Sequence, residues 1–276
     1  MNRIENAFTN KPIFMPYFPL GYPDLDTSIV VIEALAKNGA DLIEVGLSFS
    51  DPLADGPVIQ KATQVALEKG ITVKKSLAAV AELRKRGVDI PLILMGYYNP
   101  MLAYGLEKFI HDAREAGADG FIVPDLPMEE AEEFQFILND ASTTGFDTPD
   151  EHGLRNPPLS AMPLIQMLAP MSPNERMEAI ARNAKGFIYL VSVTGVTGAR
   201  TSISDGLGEL IARVREHTSV PVCVGFGIST PVQAKQVGAL ADGVIVGSAC
   251  VKTIGGSENP VEAAREFARS FRDALK

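Results

Sequence analysis

Short aliphatic runs of two kinds alternate strictly along the chain. One kind is opened by a proline: KPIFMPYF (Pro12), IPLILMGYY (Pro91), MPLIQMLAP (Pro163) and VPVCVGFG (Pro221). The other follows a helical pattern and a turn: NGADLIEVG, AGADGFIVPD, RNAKGFIYLVS and LADGVIVGS. Continuous apolar runs of this length predict strands buried on both faces. Between them, segments such as LDTSIVVIEALAKNG, TVKKSLAAVAELRKRG, GLEKFIHDAREAG and TPVQAKQVGA carry apolar residues at helical spacing, with Gly or Asn where a C-cap belongs. Eight such strands alternating with helices predict an α/β fold with a parallel sheet. Over 276 residues its natural closure is a single-domain (β/α)8 TIM barrel, its inner layers drawn from odd and even strands in turn. An open doubly wound sheet is the competing arrangement, but FPLGYPDLD after the first strand lacks the glycine spacing of a dinucleotide site.

One segment breaks the rhythm. Residues 139–161, LNDASTTGFDTPDEHGLRNPPLSA with its first Leu at 138, are polar and aperiodic and predict an extended loop between helix 4 and strand 5. A helix-to-strand connection belongs on the N-terminal face of a barrel, away from chemistry, so His152 and the acids around it read as solvated loop residues. A net charge of -9 with scattered Lys and Arg excludes a nucleic-acid surface. Cys223 and Cys250 lie in apolar contexts and read as buried small hydrophobes, the usage of a reducing cytoplasm. Neither a signal peptide nor the ~18 apolar residues of a membrane span is visible, and a soluble cytoplasmic protein is expected.

Barrel chemistry sits at the C-terminal ends of the strands. The expected residues there are Tyr17 and Phe18, Glu44, Tyr97 with Tyr98 and Asn99, Asp125, Tyr189, and Gly247 with Ser248. No histidine is among them: His111 falls in a helix, His152 in the loop and His217 at a helix end. Proton transfer is left to carboxylates and tyrosines. In LIEVG, alternation places Ile43 and Val45 on one face and Leu42, Glu44 and Gly46 on the other, so Glu44 is expected to point into the barrel mouth, where desolvation raises its proton affinity. Asp51 and Asp55 follow in a loop that Pro52, Gly56 and Pro57 should keep out of regular structure. VSVTGVTGAR, VGFGIST and VGSACVK follow strands 6, 7 and 8, and glycines there suit a phosphate held by main-chain N–H groups.

The runs IEVGLSFSDPLADGPVIQ, GYYNPMLAYG, PDLPMEEA, YLVSVTGVTGAR, GFGIST and GSACVK closely resemble the tryptophan synthase alpha subunit family, nearly from end to end. The resemblance implies a barrel enzyme that cleaves indole-3-glycerol phosphate to indole and glyceraldehyde 3-phosphate. It makes Glu44 the principal acid/base and Asp55 the second catalytic carboxylate. Tyr17, Tyr97, Asp125, Tyr189 and Thr197 would lie at or near the substrate, Thr197 helping to position Asp55, while Gly198, Gly227, Gly247 and Ser248 would hold the phosphate. It implies no metal and no cofactor in this chain, with pyridoxal phosphate only in a beta subunit that joins it in an alpha2-beta2 heterotetramer. The chain departs from the family pattern at Ser48, where proline is usual, at Pro19, and in the 139–161 segment. A phosphosugar isomerase shares the glycine loops but calls for an enolising base and electrophile, often His; apolar strand ends such as Phe18, Leu94 and Ile122 favour the bicyclic substrate. A ligand-closing subunit that mainly activates a partner is the other alternative, set against intact Glu44 and Asp55.

Overall fold

The computed structural model describes residues 2–139, 162–191, 206–225 and 227–276. Each expected strand forms: β1 (Ile13–Pro19), β2 (Ile43–Gly46), β3 (Leu92–Met95), β4 (Gly120–Ile122), β5 (Gln166–Leu168), β6 (Ile188–Val191), β7 (Val222–Gly225) and β8 (Gly243–Val246). All neighbours are parallel, in the order β4-β3-β2-β1-β8-β7-β6-β5. The two ends of that order meet at a bridge between Phe121 and Leu164, with Phe121 N–H donating to Pro163 O at 2.9 Å and Ile165 N–H to Phe121 O at 2.8 Å. The sheet therefore closes into a barrel and the open-sheet alternative falls.

Side chains alternate as the β2 pattern requires. Ile43 and Val45 pack outward into the large core shared with the helices, while Leu42 joins Ile13, Met15, Ile93, Ile122, Ile165, Phe187, Tyr189, Cys223 and Ile245 in the barrel interior. Phe18 and Leu94 belong to the outer core, so they do not line the mouth as expected; parity along β1 and β3 sends them towards the helices. Ile122 does face inward.

The N-terminal end of the barrel is a plug with ionic clamps. The helix Arg3–Ala7, opened by a capping box between Asn2 and Glu5, inserts Ile4 and the following Phe8 beneath the interior cluster. Around it stand the aspartates that precede three of the even strands. Asp41 accepts Phe14 N–H at 2.8 Å and pairs with Arg272 at 2.8 Å. Asp119 accepts Leu92 N–H at 2.8 Å and pairs with Arg3 and Arg84. Asp242 accepts Val222 N–H at 2.9 Å and pairs with Lys11 and Arg215. Each carboxylate satisfies a strand N–H and a cation together, which offsets the cost of taking it out of water.

The four periodic segments become helices Leu25–Lys37, Val73–Lys85, Leu106–Glu115 and Pro231–Gly238. Two expectations at the C-terminal face need correction. Pro57 does not hold its surroundings out of regular structure; it opens the helix Pro57–Glu68, where a missing N–H costs nothing. Strand 3 stops at Met95, and Tyr98 starts a helix to Tyr104 rather than prolonging the strand. Residues 140–161, including His152 and all but the first residue of the loop, lie outside the described residues. Among the described residues no helix is long and apolar enough to cross a membrane.

Candidate active site

Glu44 sits at the centre of β2, 1% exposed, and its Oε1 is buried without a hydrogen-bond partner. The acids of the opposite face show what a structural carboxylate looks like here: each is paired. Glu44 has no ion pair among the described residues. Burial, with a smaller push from the charge of Asp55, raises its carboxyl from the ordinary 4.5 to about 8. A group of that kind holds a proton at neutral pH and can both give and retake it.

Asp55 lies in the loop between β2 and the helix Pro57–Glu68. The loop is turned by Leu53 N–H donating to Asp51 O at 2.9 Å and Asp55 N–H to Pro52 O at 3.1 Å, and Gln60 Nε2 holds Asp55 O at 2.9 Å. Burial raises the Asp55 carboxyl to about 6, against a lowering by a hydrogen bond from the Tyr97 hydroxyl. Glu44 and Asp55 thus titrate at different pH, protonated acid beside ionised carboxylate near neutrality.

Two tyrosines complete the interior mouth. The charges of Asp55 and Glu44 both act on Tyr17 and on Tyr189, and burial first of all pushes both phenols well above the usual range, so they are proton donors and not phenolates. Each lies on a glycine of a neighbouring strand. A methyl group on Gly46 of β2 would stand 2.3 Å from Tyr17 Oη, and one on Gly225 of β7 would stand 2.4 Å from Tyr189 Oη. In the sequence Gly46 stands as an inward position of LIEVG and Gly225 as part of the VGFGIST run, neither of them marked as lying under a tyrosine. Their signal was a glycine inside a strand pattern, which marks close approach of another group. Also unforeseen are Met95, Met167 and Val191, partly buried against the interior cluster and supplying apolar wall.

The remaining expected residues are dispersed. Asp125 is exposed, and its Oδ1 accepts Tyr98 N–H at 2.9 Å. Gly227 after β7 has a φ of +80°, a left-handed conformation that favours glycine. Gly247 caps the helix Ser248–Gly255, whose first N–H groups are free of intrahelical partners. Thr197 and Gly198 fall in 192–205, outside the described residues. Ser48, on the loop after β2, has a buried Oγ with no hydrogen-bond partner. Cys223 and Cys250 are fully buried with thiols raised by burial, as small hydrophobes should be. Among the described residues no cluster of three or more His, Cys, Asp or Glu is arranged to hold a metal.

Comparison with known proteins agrees with this geometry. The family described as "Tryptophan synthase alpha chain" matches residues 5–145 and 150–276, leaving only 146–149 unmatched within the 139–161 segment. The tryptophan synthase alpha chain of Chloroflexus aurantiacus is 43% identical over 282 residues, covering 100% of this chain and 99% of its own length. That of Geotalea uraniireducens is 45% identical over 281 residues, covering 100% and 97%. Among solved structures, the tryptophan synthase alpha chain of Legionella pneumophila superposes with a TM-score of 0.82 at 33% identity, covering 100% of this chain and 97% of that one. A chain of tryptophan synthase from M. tuberculosis in an aminoacrylate-bound form gives 0.82 at 32% identity, with 100% of both chains covered. With a barrel closed around an unpaired acid and relatives that match it from end to end, the chain belongs to the tryptophan synthase alpha chain family, lyases that cleave indole-3-glycerol phosphate.

Proposed function

We propose that in this chain Glu44 and Asp55 carry out the cleavage of indole-3-glycerol phosphate between them. Breaking the C–C bond requires a proton on indole C3 and removal of the proton from the glycerol 3'-hydroxyl as the aldehyde forms. Glu44, protonated near neutral pH, gives the first; the carboxylate so produced takes the second and is reset. Positive charge that develops on the protonated indole ring is met by ionised Asp55, which accepts the indole N–H. Tyr17, Tyr189 and the apolar wall of Met95, Ile122, Met167 and Val191 suit a flat bicyclic ring. Gly198, Gly227, Gly247 and Ser248 would receive the phosphate through main-chain N–H groups, and Thr197 would steady Asp55. We assign Asp125 a place beside the pocket, as the acceptor of Tyr98 N–H. The chemistry is two proton transfers, and neither metal nor organic cofactor is needed in this chain.

The observation that carries this reading is Glu44, fully buried within the field of Asp55 and without an ion pair among the described residues. It also separates the reading from a phosphosugar isomerase, since among the described residues no histidine is named with the groups that act on the pair. Turnover of indole-3-glycerol phosphate by the wild-type chain, Glu44→Gln and Asp55→Asn is the test; variants that keep near-normal turnover would remove the residue concerned from the mechanism.

A beta subunit, holding pyridoxal phosphate and receiving the indole in an alpha2-beta2 assembly in the cytoplasm, is the partner we infer. Exposed Leu53 in the Asp55 loop, Leu102 after β3 and Met171 after β5 place apolar side chains along one side of the rim, beside a groove lined by Phe49, Pro52, Pro57 and Lys61. Docking there would order the Asp55 loop, so the isolated chain is expected to turn over slowly and to be accelerated by the partner. Thr197→Val should weaken that acceleration. Absence of any acceleration of the wild-type chain would separate the partner from the chemistry, and turnover by the chain alone distinguishes an enzyme from a purely activating subunit.

A further inference from the structure

Two glycines mark the two ends of one side chain. Tyr17 leaves β1 with its Cβ 3.7 Å from where a methyl group on Gly247 would stand, beside the cap of the helix Ser248–Gly255. It ends with its hydroxyl 2.3 Å from where a methyl group on Gly46 would stand. Glu44, the register partner of Tyr17, is the inward position of β2 two residues before Gly46, about 7 Å along the strand. The phenol is thus laid from the glycine assigned to the phosphate to the strand that carries the acid. In the substrate the same interval is spanned by the glycerol chain, which joins the carbon cleaved beside Glu44 to the phosphate.

The Tyr17 hydroxyl is idle within the protein. A phenol out of water ordinarily finds a partner. Tyr97, 4% exposed, accepts Ala54 N–H at 3.0 Å, and half-buried Tyr104 donates to Asp112 at 2.6 Å. Tyr17 is also 4% exposed, yet among the described residues its hydroxyl makes no hydrogen bond. Tyr189 shares this freedom, but it stands over Gly225 and is not within 4 Å of a methyl group on Gly247.

From this placement we infer that Tyr17 reads the glycerol chain: its hydroxyl binds the free glycerol hydroxyl that is not deprotonated in the cleavage. Tyr17 is then a specificity-determining residue for a hydroxylated three-carbon link between ring and phosphate. The inference deepens the proposed reaction and rests on Glu44 as the acid and on Gly247 and Ser248 as the phosphate end. A phenol suits the task because it donates and accepts at one atom, and its rigid ring, seated over Gly46, does not need to be ordered when substrate arrives. The hydroxyl it holds keeps its proton throughout, so the bond serves bound substrate and transition state alike and shows in KM.

The test compares two ligands that differ only in hydroxyls: indole-3-glycerol phosphate, and the analogue whose indole C3 and phosphate are joined by three methylenes. Tyr17→Phe should raise KM for the substrate about 3- to 10-fold, the worth of one hydrogen bond, with kcat changed by less than about twofold. The Kd of the analogue, measured by calorimetry, should stay within about twofold of the wild-type value. Tyr22→Phe is the control: its hydroxyl stands 2.4 Å from a methyl group on Gly255, at the other end of the same helix, and its loss should change neither ligand. Equal weakening of both ligands by Tyr17→Phe overturns the inference, because packing alone would explain it, and an unchanged KM overturns it by showing the hydroxyl idle. Near-normal turnover of Glu44→Gln removes the acid reading, while the split between the two ligands still upholds Tyr17. Should Tyr17→Phe fail to fold, the wild-type chain decides with the substrate lacking that one hydroxyl: a KM raised by about the same factor upholds the inference, and an unchanged one overturns it.

Discussion

Replacing Glu44 by Gln separates what the residue does for the reaction from what it costs the fold. Its carboxyl is raised from 4.5 to about 8 by burial and, to a smaller extent, by the charge of Asp55, and among the described residues its Oε1 has no hydrogen-bond partner. The native state therefore binds its proton more tightly than the unfolded chain does. Stability associated with this group is full below pH 4.5 and is lost as pH rises through about 8. At about 1.4 kcal/mol for each tenfold change in proton affinity, the loss approaches about 5 kcal/mol above pH 9 and is about 3 kcal/mol at pH 7. Gln has the same shape and no titration, so the contributions of other groups largely cancel in the comparison. Urea unfolding of both chains from pH 5 to pH 9 should show Glu44→Gln gaining on the wild type with every step. Its turnover should meanwhile fall by about 10²-fold or more. A difference in unfolding free energy that stays within about 1 kcal/mol over the whole range would refute the picture of an unpaired buried acid, whatever the kinetics show.

Three further outcomes are expected. The pH profile of kcat/KM should be bell-shaped, falling below about 6 as Asp55 takes up a proton and above about 8 as Glu44 loses one; a profile still rising past pH 9 would contradict the acid role. Gly46→Ala should cost about 1–3 kcal/mol of stability because the added methyl meets Tyr17, and Tyr17→Leu in the same chain should restore most of it in thermal unfolding. Asp119→Ala should cost about 3–5 kcal/mol, because the largely buried Arg84 keeps its carbonyl partners at Gly117, Val88 and Ile90 but loses its carboxylate, and Leu92 N–H loses its side-chain acceptor. The KM of the folded Asp119→Ala fraction should be that of the wild type, and a raised KM would show that the clamp reaches the site.

Strand and helix placement was legible because each run obeys one period over its whole length. Glu44 was legible for the same reason: parity alone turns it inward. What escaped was local and tertiary. Pro57 looks the same in a loop as at the first position of a helix, and only the helix after it decides. Tyr97 and Tyr98 continue an apolar run, yet the strand stops at Met95 because Asp125, distant in sequence, takes Tyr98 N–H and starts a helix. Phe18 and Leu94 sit near strand ends, but which face they serve depends on register. The glycines under the two tyrosines and the grip of Tyr97 on Ala54 are contacts across 43 residues or between strands, and no spacing in the sequence encodes them.

The aspartate clamps have a consequence for how the barrel breathes. They tie β1 to the start of β2, β3 to the start of β4 and β7 to the start of β8. In the remaining quarter the position before β6 holds Lys185, in AKGFIY, where the others read AD. Among the described residues no acid takes up that post for β5. Among the described residues the approach to this strand meets β4 at a single bridge, Phe121–Leu164, just ahead of β5. The cylinder thus has a seam, and local opening free energy should be lowest there, where fewest cooperative bonds must break at once. A seam is also where the chain can change length without disturbing its neighbours. The four residues that interrupt the family match, 146–149, fall in sequence between the helix Glu132–Asn139 and β5, on the side of this seam.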